Sequence, residues 1–282
     1  MTADRYPAPA KLNLMLRVVG RRHDGYHLLQ SVFQFVDLSD YLSFDSAPPR
    51  HFSCNGGLPD IPPERELTLR AGRLLAEECG LREGIRIALE KHLPAGGGIG
   101  GGSSDAATTL IVLNQLWGCG LTRQELMELG IRLGADVPIF IFGQSAWAEG
   151  IGEKLFPVPA LPEHSYLLVH PGISVSTAEI FDDPQLTRQH PPITIGAFLD
   201  GAQENTLEPL VRSRYRDIDA CLSWMVSEKL SGAMLTGSGA CCFGRLPEGS
   251  DGASLMAHLD PSWKAWTVKG SNRHPLHDLS KE

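Results

Sequence analysis

The sequence predicts an α+β fold in which strands and helices do not alternate regularly. Apolar residues at every second position predict strands, and apolar residues at every third or fourth position predict helices. The two patterns are mixed along 282 residues without the repeating strand-helix-strand order of a doubly wound sheet, and no internal repeat is evident. A chain of this length accommodates one large domain or two modest ones.

In the first half, the patterns come in the order of strands, a helix, a strand and further helices. Asp24-Gly25 marks a turn, and the proline- and glycine-rich stretch 47–63 predicts a loop or weak hairpin. Gly80 ends one helix, and Thr122-Arg123-Gln124-Glu125 opens another as a capping box. Strands are predicted over residues 12–19, 31–37, 85–89 and 137–142, and helices over 67–75, 105–117 and 122–133.

The second half begins at a proline-rich stretch, residues 155–162, which predicts a domain boundary. We therefore expect an N-terminal domain over 1–157 and a C-terminal domain over 158–282. One long helix is predicted over 207–225, and strands over 166–169, 234–236, 241–243 and 263–268.

Charge, cysteine spacing and the length of apolar runs limit the classes of partner that the chain is expected to bind. Its net charge is -8 without a long Lys/Arg block, which disfavours nucleic-acid binding. None of the six cysteines forms C-x-x-C, so a zinc site has little support and free thiols in a reducing cytoplasm are expected. No apolar run has the length of a membrane span, and the first residues lack an apolar signal core. We expect a cytoplasmic protein that binds a small molecule, with no nucleic acid and no membrane.

The run from Pro94 to Asp105 is the strongest indication of chemistry. Glycine lets backbone approach a ligand closely, and Ser103 or Ser104 is expected to cap the following helix, whose N-terminus attracts phosphate. A flexible linker is the alternative, but the run lies between a strand pattern and a helix pattern. The Walker lysine is missing, the G-x-G-x-x-G match is nearly automatic in so many glycines, and H-R-D and D-F-G do not occur. The run predicts a nucleotide loop of another class.

Four other places leave alternatives open. Lys11, in Pro9-Ala10-Lys11-Leu12-Asn13, is either a solvated strand residue or a functional cation. Asp136, in Gly134-Ala135-Asp136-Val137-Pro138, is either a turn former or a site acid. His23 and His27 flank the Asp24-Gly25 turn. They are either metal ligands, or part of a substrate-contacting rim with Tyr26, or residues of a polar hairpin. Gly237-Ser238-Gly239-Ala240 is a second anion-binding turn or only a hairpin.

Taken together, these segments resemble the GHMP kinases, the superfamily of galactokinase, homoserine kinase and mevalonate kinase. The resemblance extends nearly from end to end. It implies an N-terminal α+β domain, a smaller C-terminal α/β domain and an active site in the cleft between them. The motifs that carry it are Pro9-Ala10-Lys11-Leu12-Asn13-Leu14, Asp24-Gly25-Tyr26-His27, Pro94 to Ala107, Gly134-Ala135-Asp136-Val137-Pro138, His170-Pro171-Gly172 and Leu235-Thr236-Gly237-Ser238-Gly239-Ala240.

The resemblance also implies roles. Asp136 matches a catalytic base and Lys11 its partner lysine, Asn13 and Thr177 match substrate-side polar residues, and Tyr26, His27 and Phe181 match residues that hold a cytidine base. ATP is the implied phosphoryl donor, with Mg²⁺, whose protein ligands are not identified beyond Ser104 as a candidate. The loop around the ATP phosphates matches Pro94, Ala95, Gly96, Gly97, Gly98, Ile99, Gly100, Gly101, Gly102, Ser103 and Ser104.

The implied reaction is phosphorylation of the 2-hydroxyl of a cytidine-diphosphate-linked methylerythritol, on the non-mevalonate route to isopentenyl diphosphate, by a monomer or weak homodimer. The alternatives are a relative that acts on homoserine or mevalonate, a nucleotide-binding protein without catalysis, and a dinucleotide-dependent oxidoreductase. Glu66 stands where relatives commonly carry Asn, which leaves the adenine-side contacts open. A Cβ at Gly100 is expected to intrude on phosphate, and Tyr26 and Phe181 are expected to stack on both faces of the cytosine.

Overall fold

The structure is a computed structural model that describes residues 4–58 and 61–280, and its strands join into one sheet of mixed direction. The strands are β1 (Tyr6–Arg21), β2 (His27–Ala47), β3 (Phe52–Gly56), β4 (Gly84–Glu90), β5 (Ala146–Glu149), β6 (Lys154–Pro157), β7 (Ser165–His170), β8 (Ser231–Leu235), β9 (Cys242–Arg245) and β10 (Lys264–Ser271). The helices are α1 (Leu67–Glu78), α2 (Gly101–Leu116), α3 (Arg123–Ile131), α4 (Val137–Phe142), α5 (Thr177–Asp182), α6 (Ile195–Leu199), α7 (Glu208–Arg214), α8 (Arg216–Ser227) and α9 (Ala253–Met256).

The strand order is β3-β4-β2-β10-β7-β9-β8, with β1 and β5 also paired to β2, and β6 paired to β5. The α+β class is confirmed. Strand β10 pairs with β7 over 264–269 and with β2 at Gly270 and Ser271, so it joins the two halves of the chain. The predicted boundary between 157 and 158 falls at the end of β6 and stays a prediction.

Helix α2 lies at the centre of the N-terminal half. All its residues from Ser104 to Asn114 are buried, because it packs between β1 and β2 on one side and α1 and α4 on the other. Within the described residues, no helix combines the length and apolarity needed to cross a membrane.

Residues 137–142 form helix α4, and the predicted strand there is wrong. A short apolar run has no distinctive period, and Pro138, whose fixed φ suits a first helical turn, decides for the helix. The stretch 47–63 contains β3, which pairs in parallel with β4 and so makes no hairpin with it. The long helix predicted over 207–225 is broken at Tyr215, whose backbone is extended, into α7 and α8.

The segment after β10 returns to α4. His274 N–H donates to Gly143 O at 3.0 Å, and Ser145 N–H donates to Asn272 O at 2.9 Å. Arg123 on α3 donates to Phe142 O at 2.8 Å and to His277 O at 3.0 Å. This short helix is therefore held by its packing on α2 and, at its C-terminal end, by the segment 272–277.

Candidate active site

Three adjoining cavities line one cleft. The glycine-loop cavity, about 300 Å³, is bounded by residues 94–103 with Glu66 and Lys91. The central cavity, about 280 Å³, shares Gly98 and Ser103 with the first. The aromatic cavity, about 460 Å³, holds Tyr26 and His27 and shares five residues with the central one, namely Leu29, Ala135, Ile151, Thr177 and Phe181.

The glycine loop is tied to its neighbours through its carbonyl groups. Ala240 N–H donates to Gly96 O at 3.0 Å, Cys241 N–H to Gly97 O at 3.1 Å, and Lys11 N–H to Ile99 O at 3.0 Å. With the carbonyls held in this way, the first N–H groups of α2 remain without intrahelical partners and carry the positive end of its dipole. The loop therefore presents positive potential to the cavity, as an anion site requires.

Glycine is required in this loop for packing as well as for access. Gly98 has φ +70, and a Cβ there would lie 2.3 Å from Thr236 O. At Gly100, with φ +77, a Cβ would lie 2.7 Å from the ring of buried Phe140, so the expectation that it would intrude on phosphate is wrong. A Cβ at Gly102 meets only Leu67 Cδ1, at 3.5 Å. The predicted serine cap is also wrong: Gly100 occupies the N-cap, and Ser103 and Ser104 lie inside the first turn.

Lys11 is 2 % exposed, which excludes the solvated reading. Its Nζ donates to Asn13 Oδ1 at 2.5 Å and to Gly98 O at 2.9 Å, and lies 3.7 Å from Asp136 Oδ2. Burial lowers the pKa of Lys11, and the negative charge of Asp136 opposes that shift. The cation is thus fixed at the junction of the glycine loop and the central cavity.

Asp136 is the N-cap residue of α4, but its side chain makes no capping hydrogen bond. The side chain is 44 % exposed and lines the central cavity. A turn-forming role would engage the carboxylate with backbone N–H groups. Since it faces Lys11 instead, it is placed to accept a proton from a group bound in the cavity.

The polar groups around Lys11 support it rather than point into open space. Asn13 accepts from Lys11 through Oδ1 and donates through Nδ2 to Ser31 Oγ at 2.9 Å. Thr236 Oγ1 accepts from Asn13 N–H at 3.0 Å. Substrate contact by Asn13 stays a prediction, because its amide already orients the lysine.

Thr177 begins α5 and joins the far wall of the central cavity. Its Oγ1 and Ser238 Oγ lie 2.7 Å apart. The turn at 237–240 connects β8 and β9 as a hairpin, and it also packs on the glycine loop, since a Cβ at Gly237 would lie 2.9 Å from Gly98 O. The Thr-Gly-Ser-Gly motif signalled this turn, but not its contact with Thr177.

In the aromatic cavity, His27 stacks on Phe181 with ring centroids 4.9 Å apart and an interplanar angle of 32°. His27 is 7 % exposed, whereas Tyr26 is 59 % exposed. Burial lowers the pKa of His27, as do Arg188 and Arg21, against the opposing effect of Asp182. The metal-ligand reading of His23 and His27 gains no support, because the described part of the chain contains no group of three His, Cys, Asp or Glu side chains suited to a metal ion.

One charged cluster in the wall of the glycine-loop cavity was not predicted. Lys91 Nζ contacts Asp40 and lies 2.7 Å from Asp105 Oδ2. Asp40 Oδ1 also accepts from the backbone N–H groups of His92 and Leu93. Asp105 is therefore part of a buried ion cluster. Glu66 caps α1, where its Oε1 accepts from Thr68 N–H at 3.4 Å.

Asp105→Asn is expected to change the pH dependence of stability. Burial raises the pKa of Asp105 from 3.8 to about 7, and Asp40 adds to the rise while Lys91 opposes it. Because the folded state holds the proton more tightly, the stabilisation is complete below the unfolded pKa and is lost as pH rises through about 7. Asp105→Asn should not lose stability as pH rises in this way. At pH 8 its Tm should therefore be about 2–4 °C above that of the wild type, equivalent to ~1 kcal/mol.

Thermal unfolding at pH 5 and pH 8 measures this effect, with Glu128→Gln on the exposed face of α3 as the control. A wild-type pH slope in Asp105→Asn would contradict the assignment.

Comparison with known proteins places this cleft in a family. The family model "GHMP kinases N terminal domain" matches residues 66–144, and "GHMP kinases C terminal" matches 185–260. A 4-diphosphocytidyl-2-C-methyl-D-erythritol kinase from Methylococcus capsulatus is 49 % identical over 99 % of this chain and 95 % of its own length. The protein of the same name from Alkalilimnicola ehrlichii is 47 % identical over 94 % and 90 %.

Solved structures agree with these relatives. A crystal structure of 4-(cytidine 5'-diphospho)-2C-methyl-D-erythritol kinase superimposes with a TM-score of 0.82 at 34 % identity, covering 95 % of this chain and 99 % of that one. A mevalonate kinase superimposes with a TM-score of 0.70 at 14 % identity, over 96 % of this chain and 100 % of that one, which shows the shared fold alone. The chain belongs to the GHMP kinases and, within them, to the family of 4-diphosphocytidyl-2-C-methyl-D-erythritol kinases.

Proposed function

We propose that this chain is a small-molecule kinase that transfers the γ-phosphoryl group of ATP to the 2-hydroxyl of 4-diphosphocytidyl-2-C-methyl-D-erythritol, a step in isoprenoid synthesis. One observation carries the proposal. The buried Lys11 and the carboxylate of Asp136 lie 3.7 Å apart in the central cavity, between a glycine loop on one side and an aromatic pocket on the other. This order of sites matches a donor nucleotide, a reacting hydroxyl and an acceptor base.

The nucleotide side follows from the glycine loop. ATP phosphates at the N-terminus of α2 accept from its free N–H groups, and Ser103 lines both this cavity and the central one. Mg²⁺ fits as a companion of ATP that neutralises charge on the β- and γ-phosphates. Ser104, the candidate ligand, has a buried hydroxyl without a hydrogen-bond partner among the described residues, but it lines neither the glycine-loop cavity nor the central one, so its contact with Mg²⁺ stays a prediction.

Phosphoryl transfer depends on alignment of the reacting groups and stabilisation of the transition-state charge more than on covalent catalysis. Asp136 takes the proton of the 2-hydroxyl as that oxygen forms its bond to the γ-phosphorus. The bond between the γ-phosphorus and the β–γ bridging oxygen breaks, and ADP leaves. Lys11 stabilises the negative charge of Asp136 and the charge on the transferring group.

The substrate side follows from the aromatic cavity. The ring of Phe181 offers a flat face to a base, His27 lies beside it in the wall, and exposed Tyr26 lies at the rim. The wall shared with the central cavity, which includes Thr177, lets one elongated molecule reach from the base site to Asp136.

ADP release tests the proposal with purified 4-diphosphocytidyl-2-C-methyl-D-erythritol, homoserine and mevalonate as acceptors. We expect release with the first alone. Release only with homoserine or mevalonate would favour the alternative kinase, and none with any acceptor would favour a binding protein. A rise in Tm with NAD would favour the oxidoreductase. Cytoplasmic location and a monomeric or weakly dimeric state stay predictions.

Tyr26→Ala is expected to raise the KM for the cytidine substrate by about one to two decades, since stacking on a base contributes roughly 1–3 kcal/mol. The KM for ATP should stay constant, because the glycine loop lies at the other end of the cleft. Steady-state kinetics with each substrate varied in turn measures both constants. The Tm should also stay constant, since Tyr26 is exposed. A lower Tm with an unchanged substrate KM would assign Tyr26 to the hairpin alone.

A further inference from the structure

Arg188 lies on the segment between α5 and α6 and reaches the edge of the aromatic cavity. Its Nε donates to His27 Nε2 at 3.0 Å. Its Nη1 donates to Leu186 O at 3.1 Å, and its Nη2 donates to Phe181 O at 2.9 Å and to Asp183 O at 2.7 Å. Every nitrogen of the guanidinium is thus committed to a fixed acceptor.

This contact decides which nitrogen of His27 carries the proton. An arginine side chain has only N–H donors and stays protonated, so His27 Nε2 must accept. A neutral imidazole has one proton, and that proton then lies on Nδ1. Burial and the adjacent guanidinium keep the pKa of His27 below its usual range, which favours the neutral ring. Nδ1 has no partner within residues 4–58 and 61–280, and His27 lines the aromatic cavity.

A fixed Nδ1–H donor distinguishes pyrimidines. Cytosine presents an unprotonated ring nitrogen, N3, which accepts a hydrogen bond, whereas uracil carries a hydrogen on N3. A uracil in the same position would set two donors against each other and leave a buried donor unsatisfied.

We propose that Arg188 is a positioning residue that holds His27 in the Nδ1–H tautomer and thereby makes the aromatic cavity select cytosine over uracil. The inference rests on the proposed function, since it assumes that a pyrimidine base occupies this cavity. It assigns selectivity to a residue that need not touch the substrate, because the guanidinium acts through the imidazole.

Two variants separate this role from packing. Arg188→Met keeps the length of the stem but removes every donor. Arg214→Met is the matched control: Arg214 Nε donates to Asp183 Oδ2 at 2.9 Å and so anchors the same segment without touching His27. If loosening of the segment lowers the preference for cytosine, both variants should show it. If the preference depends on the tautomer of His27, only Arg188→Met should show the loss.

The first measurement is ¹⁵N NMR of the His27 imidazole in the free full-length protein, with the signal assigned by its absence in His27→Gln. We expect protonated Nδ1 in the wild type and in Arg214→Met, and a mixture of tautomers in Arg188→Met. Protonated Nε2 in the wild type would overturn the inference, whatever reaction the protein catalyses.

The second measurement is calorimetric affinity for cytidine diphosphate and uridine diphosphate. We expect the wild type and Arg214→Met to prefer the cytidine nucleotide by roughly 10–100-fold, the ratio that one unsatisfied buried donor produces. In Arg188→Met the preference should fall to within a few-fold. Burial, Arg188 and Arg21 lower the pKa of His27, and Asp182 raises it. Removal of the Arg188 charge should therefore raise the pKa of His27, and the pH dependence of cytidine affinity in Arg188→Met should move to a higher pH than in the wild type.

An unchanged preference in Arg188→Met, an equal loss in Arg214→Met, or binding of neither nucleotide by the wild type would each overturn the inference. Selective binding by the wild type without ADP release would instead support the inference and refute the proposed function. The two failures are therefore distinguishable.

Discussion

Asp136→Asn should lower kcat by roughly 10²–10⁴, which is the usual contribution of a positioned general base. The amide keeps the shape of the side chain but cannot take a proton from the acceptor hydroxyl. The fold should survive, because this side chain makes no capping hydrogen bond at the start of α4. ATP affinity should also survive, since the phosphates are held by the glycine loop.

Single-turnover kinetics and ATP calorimetry on the same preparation measure the two quantities. Asp182→Asn serves as the control, because it removes another carboxylate from the wall of the cleft but belongs to the aromatic cavity. If Asp136→Asn turned over at a near-normal rate while folded, the proton would have to go elsewhere, and the mechanism proposed above would be wrong.

Lys11→Met should lower kcat by about 10²–10³, the effect of removing one preorganised electrostatic contact from a reacting centre. It should also lower Tm, because Asn13 Oδ1 and Gly98 O lose a buried donor, at a cost of ~1–3 kcal/mol for an unsatisfied buried group. Kinetics well below the new Tm separates the two effects.

The double variant with Asp136→Asn gives the sharper measurement. If Lys11 acts by stabilising the charged Asp136, the loss of kcat in the double variant should be far smaller than the product of the two single losses. Multiplicative losses would assign Lys11 to the phosphate alone, and an unchanged kcat in Lys11→Met would remove it from the reaction.

Local sequence patterns predicted most of the strands and the first three helices, because long segments with a clear period leave little choice. They failed at α4, where six apolar residues fit a strand or a helix and Pro138 decides. That failure concerns the site directly, since Asp136 owes its position to the start of this helix. Three further helices, α5, α6 and α9, have six residues or fewer and carry no readable period.

The site was harder to predict from residue types than from the family resemblance. Nothing local distinguishes Lys11 from a solvated lysine, and its burial results from strands and a loop that meet only in the fold. The ion pair of Asp105 with Lys91 could not be predicted from local sequence, because it joins α2 to the residue that follows β4. The hydrogen bond between Arg188 and His27 joins residues far apart in sequence, so no local motif predicts it.

The hydrogen bonds between segment 272–277 and the end of α4 have a consequence while the chain is being synthesised. The ribosome delivers Asp136 long before Asn272 and His274, whose backbone groups bond to Ser145 and Gly143 at the end of that helix. Strand β10, which joins β2 to β7, also emerges late. The glycine loop also depends on late residues, because Ala240 and Cys241 donate to Gly96 O and Gly97 O. We therefore expect a nascent chain to gain both its phosphate loop and a competent proton acceptor only after residues 240–277 emerge from the exit tunnel.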